Sequence, residues 1–317
     1  MMESTRPDST AGYRARSDTQ LVIRRGEPED AVACHQLLWE AATDLGNRRG
    51  TPLPGTAEEW WRSSEPLHRY LASHAAEWWV AEEPHLRELI GYARSIARDG
   101  LVELTEFFVR PGQQARGVGR ALLERTFPIR EGGDLRTIIA TTDGRALARY
   151  YAAGTVVRFP MFTLAGKPKA IEHLSLTATQ LGKDDDAVTS VAAIERSVLG
   201  FPRGSEEFKW LLDQREGYVY NHNGTVVGFA FVGPDGVGPI ASLEPSHLPD
   251  MLLHIEDRAR TIGLERLEFE VPALNAVAIR HLLGRGFHID PWINLLMSSQ
   301  PFGQFDRFLG YSPPIFL

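Results

Sequence analysis

The chain has 317 residues, enough for two domains of about 150 residues each. Its content of 43% hydrophobic and 24% charged residues is typical of a globular protein with buried cores. The formal net charge of −7 and the lack of an apolar run of about 18 residues argue against nucleic-acid partners and membrane partners. Residues 1–19 are predicted to be a polar tail. They lack the apolar segment of a signal peptide, so we predict a cytoplasmic protein.

The first half of the sequence alternates between strand patterns and helix patterns. A β-branched segment predicts a strand at 21–25, and the next pattern predicts a helix from residue 28 or 29 to about 44. Cys34, the single cysteine, lies in this helix and is predicted to be a core residue rather than a nucleophile. The remaining elements are two helical segments, three strands, a helix, a strand, a helix and a strand, at 56–63, 65–75, 77–83, 86–100, 101–111, 119–127, 136–142, 144–154 and 156–164.

The second half repeats this order, with a helix, a hairpin that turns at Asn223-Gly224, a helix, a strand, a helix and the final strands. At a constant offset of 132 residues, Asp143, Ala146 and Gly154 match Asn275, Ala278 and Gly286. We therefore predict an α/β fold with two tandem copies of one unit, at residues 20–182 and 183–317. The alternative is a coincidental likeness between two unrelated mixed domains.

The segment QARGVGRALLE, residues 114–124, places two glycines and two arginines before an apolar helix pattern. It fails the dinucleotide fingerprint, because Leu122 stands where a third glycine belongs. It also fails the Walker A pattern, because Val118-Gly119 follow where Lys-Ser/Thr is required. A glycine loop before a helix N-terminus can still cradle a diphosphate through backbone amides. The alternative is a flexible turn flanked by solvated arginines.

The segment VRPGQQARGVGRALL, which contains these glycines, resembles motif A of the GNAT superfamily of acyl-CoA-dependent N-acetyltransferases. Val109, Pro111, Gln114, Gly117 and Gly119 fill its pattern. The resemblance implies that each half is a GNAT-like domain, with a mixed, mostly antiparallel sheet flanked by helices. It also implies acetyl-CoA as co-substrate. The implied coenzyme-binding residues are Val109, Gln114, Ala115, Arg116, Gly117, Val118, Gly119 and Arg120.

A second family motif is expected after the next strand. In the first half Ala146, Tyr150 and Gly154 fit it, but Asp143 replaces the usual Asn and Thr155 replaces the usual Phe. The second half keeps the Asn, Ala and Gly-Phe positions but has Leu282 at the Tyr position and lacks the glycine loop. The sequence therefore resembles a tandem GNAT protein with its active site in the N-terminal half and a degenerate C-terminal copy.

Acetyl transfer to an amine requires a base for the ammonium, a donor to the thioester carbonyl and an acid for the thiolate. Strand alternation places Glu103 on one face with Phe107 and Val109, and Glu106 on the opposite face. Glu103 is the first candidate base because its spacing from Gln114 resembles that of the family's catalytic Glu, and Glu106 is the second candidate. The resemblance implies the backbone amide near Val109 as carbonyl donor and Tyr150 as acid. No histidine spacing indicates a metal site.

The acceptor is the least defined part of the prediction. In this family the first helix–loop–helix covers the acceptor, which implies that Trp60 and Trp61 contact it, although interdomain packing explains these residues equally well. The predicted function is direct acetyl transfer to a primary amine of a small molecule or peptide. The alternative is a catalytically silent acyl-CoA-binding sensor or scaffold. The apolar segment 302–317 is expected to pack against a domain or a partner, and a homodimer is possible.

Overall fold

The computed structural model describes residues 21–83, 88–113, 117–129, 132–171 and 173–312. The first half has six strands and four α-helices among these residues. In chain order they are β1 (Val22–Arg25), α1 (Ala31–Arg49), α2 (Ala57–Ser73), β2 (Glu77–Glu83), β3 (Glu88–Arg98), β4 (Leu101–Val109), α3 (Val118–Thr126), β5 (Leu135–Thr141), α4 (Gly144–Ala152) and β6 (Val156–Gly166).

The second half runs through the same order of elements. They are β7 (Thr177–Gln180), α5 (Asp185–Leu199), α6 (Ser205–Gln214), β8 (Glu216–His222), β9 (Thr225–Gly233), β10 (Gly236–Ser242), α7 (Leu248–Thr261), β11 (Leu267–Pro272), α8 (Ala276–Gly284) and β12 (His288–Ser298), followed by the short β13 (Phe308–Leu309). The internal repeat predicted from the sequence is therefore present in the order of the elements.

Some local predictions differ from the structure, and strands β7 and β10 were not predicted. The segment predicted as two helices is the single helix α2, which continues through Pro66. Its N-terminus is fixed by a capping box between Thr56 and Glu59, and Leu67 and Leu71 are buried, so packing and capping outweigh the hydrogen bond that proline removes. Helix α6 was not predicted.

The two halves exchange one strand each. The described strands of the large sheet follow the order β1-β2-β3-β4-β5-β12-β6-β11. Strand β12, from the end of the chain, pairs antiparallel with β5 and with β6 of the first half. Strand β6 in turn pairs with β11 of the second half. The proposed division at residue 183 follows chain connectivity, whereas the backbone hydrogen bonds of the sheet cross it.

The second sheet has the order β13-β10-β9-β8-β7 among the described strands. Strand β13 pairs with β10, and the next residue, Gly310, forms a bridge with Glu270 of β11. The described part of the C-terminal segment thus packs into the core, where Phe305, Phe308 and Tyr311 are buried.

We expect the fragment 1–182 to fail to fold alone, because without β12 the strands β5 and β6 lose their shared partner and expose their ladder groups. Co-expression with the fragment 183–317 should restore a soluble complex. The measurement is thermal unfolding followed by circular dichroism. A cooperative transition of fragment 1–182 alone would show that the exchanged strand is dispensable.

Candidate active site

The main cleft of the protein opens where β4 and β5 separate. The two strands pair in parallel only from Leu101 to Glu103 against Leu135 to Thr137. Beyond this point residues 104–109 and 138–141 line a cleft of about 1140 Å³. Helices α1 and α2 contribute lining residues such as Leu38 and Ser64. A splayed pair of strands provides a slot into which a long, narrow ligand can insert between two backbones.

One end of the cleft meets the N-terminus of α3. Gly117 is the N-cap residue in the left-handed conformation, with φ of 84°, and no side chain of the described residues caps the helix there. A Cβ at Gly117 would project into open space, whereas one at Gly119 would lie 3.0 Å from Cζ of Phe107. Both glycines line the cleft. Unsatisfied amides at a helix start attract anions, so this end fits a diphosphate.

The other residues predicted to bind the coenzyme have different positions. Val109 lines the cleft. Val118 is a buried core residue, so only its backbone can reach a ligand. Arg120 is exposed, and its Nε donates a hydrogen bond to Glu124 Oε1 at 2.7 Å. Gln114, Ala115 and Arg116 lie outside the described residues.

A β-bulge in β4 changes the faces predicted for the two glutamates. Arg94 pairs with Glu106 but Ser95 pairs with Leu104, so Thr105 is the extra residue. A bulge interrupts the alternation of side chains. Leu104 consequently packs with Phe107 on the α3 face, whereas Phe108 packs against Tyr92 on the opposite face. The prediction that Glu103 shares a face with Phe107 and Val109 is wrong for this reason.

Glu103 belongs to a buried ion network between the two halves. It is 1% exposed and lies 3.3 Å from Nη1 of Arg98. Arg98 also donates to both carboxylate oxygens of Glu207 on α6, at 2.9 and 2.8 Å. Glu103 is not among the residues that line the cleft. Its location corrects the expectation that it serves as the first candidate base.

Glu106 lines the cleft and is held by three partners. Its carboxylate accepts a hydrogen bond from Tyr92 Oη at 3.1 Å, lies 2.9 Å from Nη1 of Arg94 and lies 3.0 Å from Nδ1 of His68. Burial alone would raise the pKa of Glu106, but the Arg94 charge and the His68 hydrogen bond outweigh it and lower the pKa to about 2. Glu106 is therefore a fixed carboxylate with little tendency to accept a proton at neutral pH.

His68 of α2 was not singled out by the sequence. Its ring also lines the cleft, and among the described residues its hydrogen bond is made by Nδ1 to Glu106. A carboxylate at Nδ1 keeps the proton on that nitrogen, so Nε2 is the nitrogen that can accept one. Trp61 stacks on the ring with centroids 6.0 Å apart, and His35 contacts its edge at 5.0 Å. The Glu106–His68 pair forms only in the folded state, because the two residues are 38 positions apart in the sequence.

Tyr150 of α4 lines the cleft beside Phe107, with ring centroids 5.8 Å apart. Burial raises the pKa of its hydroxyl, and Asp143 adds to this effect, so Tyr150 is protonated at neutral pH. Asp143 caps α4 by accepting a hydrogen bond from the Arg145 amide at 2.8 Å. Asn275 caps α8 in the same way, through the amide of Ala278. The Asp-for-Asn replacement therefore preserves the cap.

Of the two tryptophans predicted to cover the acceptor, Trp60 lines the cleft, whereas Trp61 packs against His35 and His68.

Cys34 is buried and burial raises the pKa of its thiol, which confirms that it is a core residue. Among the described residues, no group of three or more His, Cys, Asp or Glu side chains has the arrangement of a metal site.

The second half supplies the far wall of the same cleft. Glu268 and Glu270 lie two residues apart on β11, opposite the core face that carries Phe269. Asp290 and Asn294, in and beside the bulge of β12, complete the wall. This acidic wall, defined as Glu268, Glu270, Asp290 and Asn294, reaches the cleft only because β12 and β11 join the large sheet.

Glu270 is the most buried carboxylate of the acidic wall. It is 1% exposed, and Thr163 Oγ1 donates to its Oε1 at 2.9 Å. Burial raises the pKa of Glu270 to about 8; the Thr163 hydrogen bond opposes the shift, and the charges of Glu268 and Asp290 add to it.

The corresponding cleft of the second half is filled. Between β10 and β11 the chain inserts its own residues 308–310, with the Gly310 amide donating to the Glu270 carbonyl at 2.9 Å. Helix α7 follows a 3-10 turn at Pro245–His247, and its N-cap residue His247 is not a glycine. This half therefore lacks both the open slot and the glycine cradle.

Comparisons with known proteins show which domain family and which folds the chain resembles. Residues 74–153 match the family model described as acetyltransferase (GNAT) domain. A protein from Pyrococcus horikoshii described as an acetyltransferase shares 15% identity and a TM-score of 0.70, over 94% of this chain and 96% of that chain. A GCN5-related N-acetyltransferase from Sphaerobacter thermophilus shares 17% identity and a TM-score of 0.62, over 89% and 96% of the two chains.

A third similar structure is a tandem GNAT protein from the clavulanic acid biosynthesis pathway, with 17% identity and a TM-score of 0.56, over 89% of this chain and 99% of that one. No curated protein sequence gives a significant match. Residues 74–153 thus match a GNAT acetyltransferase domain, and the mixed α/β fold of the chain is similar to that of GNAT-like structures. This fold supports acyl-CoA-dependent acyl transfer in general. No helix in the described residues is long and apolar enough to cross a membrane.

We expect Glu270→Gln to stabilise the protein increasingly as pH rises. The pKa of about 8 in the folded protein lies above the ordinary value of 4.5, so ionisation of the unfolded chain lowers the stability of the native protein between these values. The two proteins should differ in stability by about 1 kcal/mol at pH 5 and by about 4 kcal/mol at pH 8, since one pKa unit corresponds to about 1.4 kcal/mol. Urea unfolding at both pH values provides the measurement. Glu265→Gln, at an exposed position, is the control and should show no such trend.

Proposed function

We propose that this protein transfers an acetyl group from acetyl-CoA directly to a primary amine of a small molecule or peptide, in the cleft of the N-terminal half. The observation that carries the proposal is the coincidence of three features in one cleft. An uncapped glycine N-terminus lies at one end, the Glu106–His68 pair lies on one wall, and Tyr150 lies beside the strand separation.

In this proposal, the binding of the acetyl donor depends on the splayed strands and α3. The N-terminal amides of α3 at Gly117 and Gly119 would hold the diphosphate of coenzyme A. The edge of β4 up to Val109 would follow the pantetheine arm, as the family resemblance implies. The thioester supplies an activated carbonyl carbon, and the filled cleft of the second half offers no equivalent space.

The acceptor must lose a proton before it can attack. An alkyl ammonium has a pKa of about 10, and Glu106 is too weak a base to take its proton. His68, oriented by Glu106, is the better base, either directly or through one water molecule. Glu106 stabilises the imidazolium that forms, in the manner of the carboxylate of a catalytic triad.

The reaction then completes with balanced proton transfers. The amine nitrogen attacks the carbonyl carbon, the carbon–sulfur bond breaks, and the electron pair leaves on the coenzyme A sulfur. The nitrogen, which becomes positively charged on attack, releases its extra proton to solvent and forms the neutral amide. Tyr150, protonated at neutral pH, would donate a proton to that thiolate and recover one from solvent. The silent-sensor alternative predicts coenzyme binding without this transfer.

We expect Gly117→Asp to weaken acetyl-CoA binding at least tenfold, because a carboxylate placed at the cradle repels the diphosphate. Isothermal titration calorimetry measures the affinity. The matched control is Gly263→Asp, since Gly263 has a similar φ of 88°, is equally open and does not line the cleft. Equal affinities in the two variants would remove the diphosphate from the end of α3.

We expect His68→Asn to lower kcat by about 10²–10⁴-fold while leaving the acetyl-CoA Kd unchanged, because the amide can replace Nδ1 toward Glu106 but is not a base. The acceptor for this assay is the best substrate from a screen of primary amines. His74→Asn, on the same helix and away from the cleft, serves as control. A His68→Asn variant with native kcat would exclude His68 as the base. An amine screen without any turnover, in a protein that binds acetyl-CoA, would favour the silent sensor.

A further inference from the structure

The acidic wall contains buried polar atoms that the described residues leave without hydrogen-bond partners. Oε2 of Glu270 and Nδ2 of Asn294 are both of this kind, and both residues are at least 96% buried. Buried polar groups are ordinarily paired, because leaving one unpaired costs stability. Since both residues line the cleft, a ligand in the cleft can supply the missing partners.

The charge of the wall specifies the sign of that ligand. Arg266 lies 2.6 Å from Glu268 and 3.5 Å from Asp290, which offsets part of their charge. Among the described residues, the Glu270 carboxylate accepts a hydrogen bond from the uncharged hydroxyl of Thr163. The charges of Glu268 and Asp290 favour a cation, and an ammonium group beside Glu270 would lower the raised pKa of that carboxyl and ionise it. The Asn294 amide can turn its oxygen toward an ammonium group.

The position of the wall specifies the length of the ligand. Asn294, Thr163 and Glu270 lie on the adjacent strands β12, β6 and β11, and neighbouring strands are about 4.8 Å apart. The row from Asn294 to Glu270 therefore spans about 10 Å. His68 and Glu106 lie on the other side of the separated strand β5. A short monoamine that reacts at His68 cannot also reach Glu270.

We infer that the acceptor is a diamine or polyamine, whose reacting amine lies at His68 while a second ammonium group binds the acidic wall at Glu270. This inference rests on the proposed function and adds the substrate class to it. In this arrangement the second half does not bind coenzyme, and its side chains select the acceptor that reacts in the cleft of the first half. The exchanged strand β12 and its neighbour β11 bring these side chains to the cleft.

The test compares the binding of two amines to the full chain by calorimetry, with spermidine as the polyamine and butylamine as the monoamine. The native protein should bind spermidine at least tenfold more tightly. Glu270→Gln should lose tenfold or more of the spermidine affinity and leave that for butylamine unchanged, as expected for a charge-assisted contact. Glu265→Gln, exposed and outside the cleft, should bind both amines like the native protein.

Asp290→Asn provides a second variant at a partly exposed position, where the substitution is easily tolerated. Its loss of spermidine affinity should be smaller, about threefold. Melting temperatures show that each variant is folded. Equal binding of spermidine and butylamine by the native protein, or native spermidine affinity in Glu270→Gln, would overturn the inference.

Turnover measured on the same preparations separates this inference from the proposed function. Acetylation of butylamine without a preference for spermidine would refute the polyamine assignment alone. Spermidine binding that depends on Glu270, in a protein that acetylates neither amine, would refute the proposed transfer and leave the cation site standing.

Discussion

The antiparallel pairing of β12 between β5 and β6 is the interaction on which the rest of the structure depends. It closes the first half's sheet with a strand from the end of the chain, and β6 in return pairs with β11 of the second half. Backbone groups in the middle of a sheet must be paired, so neither half can complete its own sheet. The exchange converts two sequence repeats into one continuous sheet and carries acidic side chains of the second half to the cleft of the first.

The same repeat has two different outcomes at its two clefts. In the first half β4 and β5 separate and leave a slot that ends at the open N-terminus of α3. In the second half residues 308–310 occupy the equivalent gap through backbone hydrogen bonds. A segment that fills its own cleft gains hydrogen bonds and buried apolar surface, which stabilises the fold at the expense of a binding site. The second half therefore supplies one wall of the first half's cleft and has no open cleft of its own among the described residues.

Charge is distributed unevenly over the buried groups. Glu103 and Glu106 both lie on β4 but make different contacts. Glu103 joins the halves through Arg98 and Glu207, whereas Glu106 contacts and orients His68. Among the described residues, Glu270 accepts a hydrogen bond from the uncharged Thr163 hydroxyl, and burial raises its pKa. A buried carboxylate with an unpaired oxygen is costly for stability, and such residues are retained where a ligand uses them.

Much of the fold and part of the site could be predicted from the sequence, because they depend on local chemistry. Hydrophobic periodicity predicts most helices and strands, and the residues at Gly117 and Gly119 predict the coenzyme cradle, since loop conformation is encoded where only glycine fits. The repeat with its offset of 132 residues predicts two related halves, and the caps at Asp143 and Asn275 show its local basis.

Other features were decided only by the tertiary structure. The bulge at Thr105 reversed the expected faces of β4, because one extra residue in a pairing register is invisible to a count of alternating side chains. The Glu106–His68 pair joins residues that are 38 positions apart, and the acidic wall depends on which strands are neighbours. The sequence by itself determined the local elements, the repeat and the glycine cradle. Strand exchange and long-range pairing decided the Glu106–His68 pair and the acidic wall, because hydrogen bonds between distant strands are fixed only when the whole sheet forms.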